Sequence, residues 1–599
     1  MGNIITERVE TLRNYMRQNG LSAFIFPSTD PHQGEYVPAH WMTRQWISGF
    51  DGSAGTAVVT LSEAALWTDS RYFIAAEEQL KGTPFLLMKD GLPETPSIEE
   101  WLCKTIHNSQ FIIHNSSEKT AEKTVVGVDG SLYTPDELGE MEKALAKAGI
   151  KLRTDLDPAE TLWTDRPPIP KNKVEIQPLE YAGESAENKI ERVRQALREQ
   201  KAGGIVISQL DEIAWLLNLR GSDVHCNPVF VSYVLLSLNE VTLFIDSEKL
   251  DAVTREYLNS IGVKVKPYKD PRPSKSPLKG DLLSSPKGEL EGVCGSVGRS
   301  VVGSLKAIKN TAEIEGFRRA MIRDGVAMVK FLRWLKPAVE AGKETEMSID
   351  RKLTELRAEQ PLYRGLSFDT IAAYGPHGAI VHYEATPKSD APLEPKGLLL
   401  LDSGAQYQDG TTDITRTIAL GPLTDEERLD YTLVLKGHIR LALTRFPDGI
   451  SGTRIDALAR YAMWQHGIDY GHGTGHGVGS YLCVHEGPHQ IRHTWKPAPL
   501  HAGMTVTNEP GIYREGKHGV RIENTMLIVE DGATEFGKFL RLEPITLCPI
   551  DLTPVIWEMM TPEEVAYINN YHKKVNEALS PLLDEEEREW LNSQTINNS

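Results

Sequence analysis

ERVETLRNYMRQNGLSAFIF, residues 7–26, joins a helix-spaced apolar face (Val9, Leu12, Tyr15, Met16) to a glycine stop at Gly20 and an apolar run, Ala23-Phe24-Ile25-Phe26. The same order returns in ERVRQALREQKAGGIVI, residues 191–207, where a helix opened by Glu191-Arg192-Val193 stops at Gly203-Gly204 before Ile205-Val206-Ile207. Helix, glycine stop and buried strand are the elements of an α/β layer, and their ordered recurrence implies a duplicated unit. Trp46–Ser53 parallels Trp215–Ser222, and Leu66-Trp67-Thr68-Asp69-Ser70 parallels Leu243-Phe244-Ile245-Asp246-Ser247. The copies part where Arg71 aligns with Glu248, which marks a role held by one copy alone.

Between the copies, the closely spaced prolines of Arg166-Pro167-Pro168-Ile169-Pro170 forbid a helix and favour an extended connector. The Pro/Ser/Lys-rich stretch Pro271 to Lys287 reads as a long surface loop. A third unit opens near residue 306 with a periodic helix: Asn310 and Glu313 form a capping pair, Ile314, Phe317, Met321, Met328, Leu332 and Leu335 share a face, and Pro337 ends it. The expected division is therefore 1–160, 161–305 and 306–556, with a helical extension, 557–599, docked through Trp557, Trp590 and Leu591.

With 599 residues the chain exceeds one hydrophobic core, and its 25% charged and 40% hydrophobic composition is that of a folded globular protein. A net charge of -18 argues against nucleic acid or an anionic membrane as a partner. Five cysteines, far apart and in no CxxC or CxH spacing, read as reduced and mostly buried. The N-terminal residues lack a signal-peptide run and the chain has no long apolar stretch, so a cytoplasmic location is expected. Met1-Gly2 with Thr6 fits a short myristoylation pattern, but Thr6 reads better as the N-cap of the first helix.

Between residues 380 and 525, carboxylates and histidines lie beside glycines and apolar strands, an arrangement that needs its charge compensated. Asp402 ends the apolar run Leu398 to Leu401, and Asp413 comes after the hairpin signal Asp409-Gly410. His472 and His476 sit among alternate glycines that fit either a loose surface loop or a backbone packed close to something. His485 lies beyond an apolar segment, and Glu509 and Glu523 fall on predicted strands, where Arg521 is a candidate partner for Glu523.

These residues resemble the aminopeptidase P group of the pita-bread metallopeptidases, in its long three-domain cytosolic form. The likeness runs from Ser48-Gly49-Phe50-Asp51-Gly52-Ser53 and Trp67 to Phe73, through Leu219 to Asp223, to Gly378 to Tyr383, Asp402-Ser403-Gly404, Asp409 to Asp413, His472 to Gly479 and Asn508-Glu509-Pro510-Gly511. It implies two related creatinase-like α/β domains, then a C-terminal pita-bread metallopeptidase domain. It also implies metal ligands at Asp402, Asp413, His476, Glu509 and Glu523, with His382, His472 and His485 around the substrate.

Four carboxylates and one imidazole balance two divalent cations, and such donors suit a hard or borderline ion: Mn(II) is the expected metal, with Zn(II) or Co(II) as substitutes. The resemblance implies an aminopeptidase that cleaves before a penultimate proline through a hydroxide bridging two metals. Glu509 would carry protons, His382 and His485 would hydrogen-bond substrate and oxyanion, and His472 would shape the proline pocket. Arg71 would reach the substrate of a neighbouring site, and members are commonly homodimers. Prolidase-like dipeptidases share the five ligands, and some pita-bread domains are binding modules without them. The paired N-terminal units and the intact ligand positions favour aminopeptidase P.

Overall fold

The computed structural model describes residues 2–113, 124–271 and 301–595. Three units succeed one another along the chain. The first is built on a six-stranded sheet in the order Phe85–Lys89, Ala64–Thr68, Thr56–Thr60, Ala23–Pro27, Val125–Val128, Lys151–Arg153. The second is a four-stranded sheet in the order Val263–Lys266, Val241–Ile245, Ser232–Ser237, Gly204–Ile207.

The duplication is visible in the pairing. In each unit the strand that opens the sequence repeat lies antiparallel to the next strand, which lies antiparallel to a third, and the third runs parallel to a fourth. The parallel pair is joined in both by a crossover helix, Phe73–Gln79 in the first and Ala252–Ser260 in the second, as parallel strands require. The first unit adds two further parallel strands at its other edge. Both sheets bury apolar faces: Phe24, Phe26, Val59 and Leu66 in one, Ile207, Val234, Leu243 and Ile245 in the other.

The third unit folds several short antiparallel sheets around long helices. Leu398–Ser403 is flanked by Ile371–Tyr374 and Ile414–Ala419, and Thr505–Asn508 pairs with Asn524–Thr534. Helices Thr311–Glu340, Asp425–Ala442 and Thr453–Trp464 pack behind them. The helices Pro562–Leu579 and Glu585–Gln594 bury Ile568, Tyr571, Val575 and Leu591 in the same core as Tyr431, Val434 and Leu547, with Trp557 and Trp590 at its margin.

Several local expectations are corrected. The first helix runs Gly2–Gln18, so Thr6 is not its N-cap; its hydroxyl instead donates to Gly2 O at 2.8 Å. The Asn310/Glu313 capping box is present, but the helix continues through Pro337 to Glu340. Only one turn remains beyond the proline, and buried Leu335 and Val339 hold it in place. Cys103, Cys226, Cys483 and Cys548 are free, but only Cys548 is fully buried; Cys294 and most of the Pro271–Lys287 stretch lie outside the described residues. Among the described residues no helix is long and apolar enough to cross a membrane.

Candidate metal centre and substrate cleft

A cavity of about 1930 Å³ opens where the first and third units meet, and all the predicted site residues line it. On its floor, Asp402 sits directly opposite Thr415 in the antiparallel pair Leu398–Ser403 and Ile414–Ala419. Asp413 lies two residues before Thr415, so side-chain alternation turns it to the same face, diagonal to Asp402. The hairpin that carries it back closes at Tyr407↔Gly410.

Glu509 and Glu523 are not within strands, as the sequence pattern suggested. Glu509 sits just after Thr505–Asn508 and Glu523 just before Asn524–Thr534: Glu509 N donates to Thr474 O at 2.8 Å, and Glu523 N to Thr415 O at 3.1 Å. The Thr415 hydroxyl also donates to Glu523 Oε2 at 2.8 Å, which aims that carboxylate at the floor. Arg521 does not pair with Glu523. It grips Asp402 Oδ2 through Nη2 at 2.7 Å and Nε at 3.1 Å.

The glycine-alternating segment is packed rather than loose. A side chain on Gly475 would meet Thr507 O at 2.0 Å, and one on Gly471 would meet Ser70 Oγ of the first unit at 2.3 Å. This close approach delivers His476, whose Nδ1 lies 2.9 Å from Gly477 O. A proton donated to that carbonyl leaves Nε2 as the lone-pair nitrogen, 3.4 Å from Asp413 Oδ2 and 3.7 Å from Glu509 Oε1. One donor atom each from Asp413, His476 and Glu523 lies within 4.8 Å of the other two.

The electrostatics of this floor call for a cation. Burial, and then the neighbouring carboxylates, push Asp413 and Glu523 well above the usual carboxylate range. Burial raises Glu509 to about 7, with Asp402 adding to the rise and Arg521 opposing it. Burial lowers His476 to about 3, which keeps its imidazole neutral. Asp402 Oδ1 is buried without a hydrogen-bond partner, although Oδ2 is held by Arg521. A lone acceptor beside crowded carboxylates and a neutral imidazole fits divalent metal ions.

The cavity wall carries the remaining histidines. His472 is fixed at both nitrogens, Nδ1 to Gly473 O at 2.7 Å and Nε2 to the Tyr513 hydroxyl at 2.8 Å. Burial and the Arg521 cation lower it to about 3. His382 Nδ1 meets the Tyr72 hydroxyl at 2.8 Å, and burial together with Arg71 holds it neutral. His485 differs. Burial would lower it, but Glu35 at 2.9 Å from Nδ1, with Asp413 behind, raises it to about 9.

Arg71 lies in its own chain's cavity. It is clamped by Asp69 through Nε at 2.9 Å and Nη2 at 2.7 Å, with Glu35 Oε1 at 3.5 Å from Nη1. The resemblance implied a neighbouring site; within one chain the residue already faces the cleft, through the contact between first and third units. Sequence reasoning missed Glu35, Tyr72 and Tyr513, and it underrated Arg521. Tyr72 stands next to Arg71 within the Trp67 to Phe73 motif, and that adjacency was the one readable signal.

Comparisons with known proteins place the domains that build this cleft. Residues 315–530 match metallopeptidase family M24, and 538–597 match the C-terminal region of that family. Residues 8–158 and 165–313 each match the creatinase/prolidase N-terminal domain. The chain is 41% identical to a probable Xaa-Pro aminopeptidase P of Laccaria bicolor, over 98% of this chain and 92% of that protein. It is 37% identical to aminopeptidase P1 of Arabidopsis thaliana, over 99% of both. It superposes with a TM-score of 0.87 and 36% identity on an X-prolyl aminopeptidase from Caenorhabditis elegans, described as a cytosolic enzyme with a di-nuclear active site, covering 96% of this chain and 95% of that one. With two creatinase-type units in front of an M24 unit and relatives of this kind along its whole length, the chain belongs to the Xaa-Pro aminopeptidases of metallopeptidase family M24.

Proposed function

We propose that this hydrolase removes any N-terminal residue that precedes proline, with two divalent cations held by Asp402, Asp413, His476, Glu509 and Glu523. The observation that carries the reading is the donor triad Asp413, His476 and Glu523 beside the unpartnered Asp402 Oδ1. The donor chemistry suits Mn(II) best, with Zn(II) or Co(II) able to substitute. When bound, the cations would polarise the scissile carbonyl and acidify a water molecule.

The chain's own residues then supply position and protons. Glu509, at the edge of the floor, carries the proton from the attacking water toward the leaving proline nitrogen. His485, charged by its Glu35 partner, donates to the developing oxyanion, and neutral His382, oriented by Tyr72, hydrogen-bonds the substrate backbone. His472 has both nitrogens occupied, so it presents its ring face to proline. Arg71, held flat by Asp69, binds the peptide beyond the proline. The enzyme works in the cytosol as a homodimer, a habit of the family it resembles; sedimentation at equilibrium checks the second point.

Cleavage of Arg-Pro-Pro beside the dipeptide Ala-Pro, after chelation and readdition of Mn(II), tests the function. Metal-dependent release of arginine that outpaces Ala-Pro cleavage and is lost in Glu509→Gln is expected. Faster Ala-Pro cleavage would make the enzyme a prolidase instead.

A further inference from the structure

Away from the carboxylate floor, the mouth of the cavity holds a second set of metal-ligating side chains. The loop leading from Leu219–Arg220 to Ser232–Ser237 makes a turn closed by the bridge Val224↔Asn227, with His225 and Cys226 at its centre. Asn227 N donates to Val224 O at 3.2 Å, and Asn227 Nδ2 donates to His225 O at 2.8 Å. Cys226 adopts φ +59°, a left-handed conformation that side-chain-bearing residues avoid. Gln406 of the third unit holds it there, donating from Nε2 to Cys226 O at 3.1 Å.

Across from the turn lies Asp369, between the strands Tyr363–Leu366 and Ile371–Tyr374 of the third unit. Its Oδ1 is 2.8 Å from His225 Nε2, and one donor atom each from His225, Cys226 and Asp369 lies within 4.8 Å of the other two. A second carboxylate, Glu384, lines the same cavity and interacts electrostatically with both Asp369 and His225. Nothing in the peptidase chemistry uses this group.

We propose that His225, Cys226 and Asp369 bind one Zn(II) ion at the mouth of the cavity, in a site separate from the catalytic floor. One imidazole, one thiolate and one carboxylate are the mixed donors of a borderline ion, whereas the oxygen-rich floor suits a harder one. Tetrahedral zinc with bonds of about 2.0–2.3 Å sets its donors roughly 3.5 Å apart, so the turn needs only side-chain rotation to close on the ion. The Cys226 thiol proton leaves to solvent as the bond forms. Three protein donors leave a fourth position for water. The ion pins the second unit to the third, and the partly exposed ligands make it a reversible clasp that narrows the entry for long peptides.

Cobalt(II) is the probe, because a thiolate ligand gives it intense charge-transfer absorption that carboxylate and imidazole do not, so the floor stays silent. Titration of the full chain should give a thiolate band that is absent in Cys226→Ser. The same band should weaken by about tenfold in apparent affinity in Asp369→Asn, which leaves the turn itself intact. Zinc should slow iodoacetamide labelling of Cys226 by about tenfold in the wild type and by nothing in His225→Ala. A cobalt band that survives Cys226→Ser would overturn the proposal, as would Cys226 labelling indifferent to zinc. Both readouts are independent of peptide cleavage, so they stand or fall apart from the proposed activity.

Discussion

The first two units share one strand plan and diverge just past its third strand. In the first, Asp69 Oδ1 accepts from Arg71 N at 3.1 Å; in the second, Asp246 Oδ1 accepts from Glu248 N at 2.9 Å. The turn is the same. After it, the first unit sends Arg71 and Tyr72 into the cleft, whereas the second keeps its residues at home: Glu248 meets Lys171 at 3.0 Å on the surface, and Lys249 turns inward onto buried Asp223. Asp223 also accepts from Val231 N at 2.7 Å, which stiffens the loop bearing His225 and Cys226. A duplicated backbone thus gives one copy that turns Arg71 and Tyr72 into the cavity and one that pairs the equivalent residues within itself. At this turn the difference lies in the two positions that follow it, not in the backbone.

That division implies an order of effects. The largest loss should come from the third unit: Glu509→Gln should lower kcat by about 10³-fold, because on the proposed mechanism it removes both a cation ligand and a proton carrier. If Tyr72→Phe cost as much, the first unit would be part of the chemistry rather than its guide, and the division of labour would fail. Next, Glu35→Gln should lower kcat/KM by about 10²-fold by leaving His485 without its counter-charge, as steady-state kinetics with Arg-Pro-Pro would reveal. Smaller again, Arg71→Ala should cost about tenfold, chiefly in KM, while its counterpart Glu248→Ala should stay within about twofold. Equal effects at the two positions would erase the asymmetry between the copies.

The last effect concerns stability alone. In chelated protein, Glu509 titrates near 7 when folded and near its ordinary value of 4.5 when unfolded. A raised carboxyl favours the folded state fully below about 4.5, and that contribution is lost as pH rises through about 7. Glu509→Gln should therefore stabilise the chelated protein at pH 8 and do so much less at pH 5. Urea unfolding at the two values checks this, and Mn(II) should remove the gain.

What could be read from the chain depended on how far apart in sequence the partners lie. Asp402 and Asp413 were legible because a strand and a turn signal lie between them, and His476 because its glycines constrain the backbone. The duplicated strands were legible because each copy repeats its own helix, glycine stop and apolar run. Glu35 was not: it sits on an irregular loop, and its meaning comes from His485, 450 positions away. Arg521 was misassigned to Glu523, its near neighbour, because sequence proximity hid the strand register that sets Asp402 within reach. Pro337 failed as a stop because tertiary packing on Leu335 and Val339 outweighed one missing hydrogen bond.

The hydrogen bond from Tyr72 to His382 closes a loop of 310 residues, and that from Glu35 to His485 one of 450. Contacts of such separation form late, after each unit has condensed on its local pairings. Until they form, His382 and His485 lack the partners that orient them, whereas His472 and His476 take theirs from within the third unit. The cleft is complete only where the first unit docks on the third, so His382 and His485 depend on residues more than 300 positions upstream.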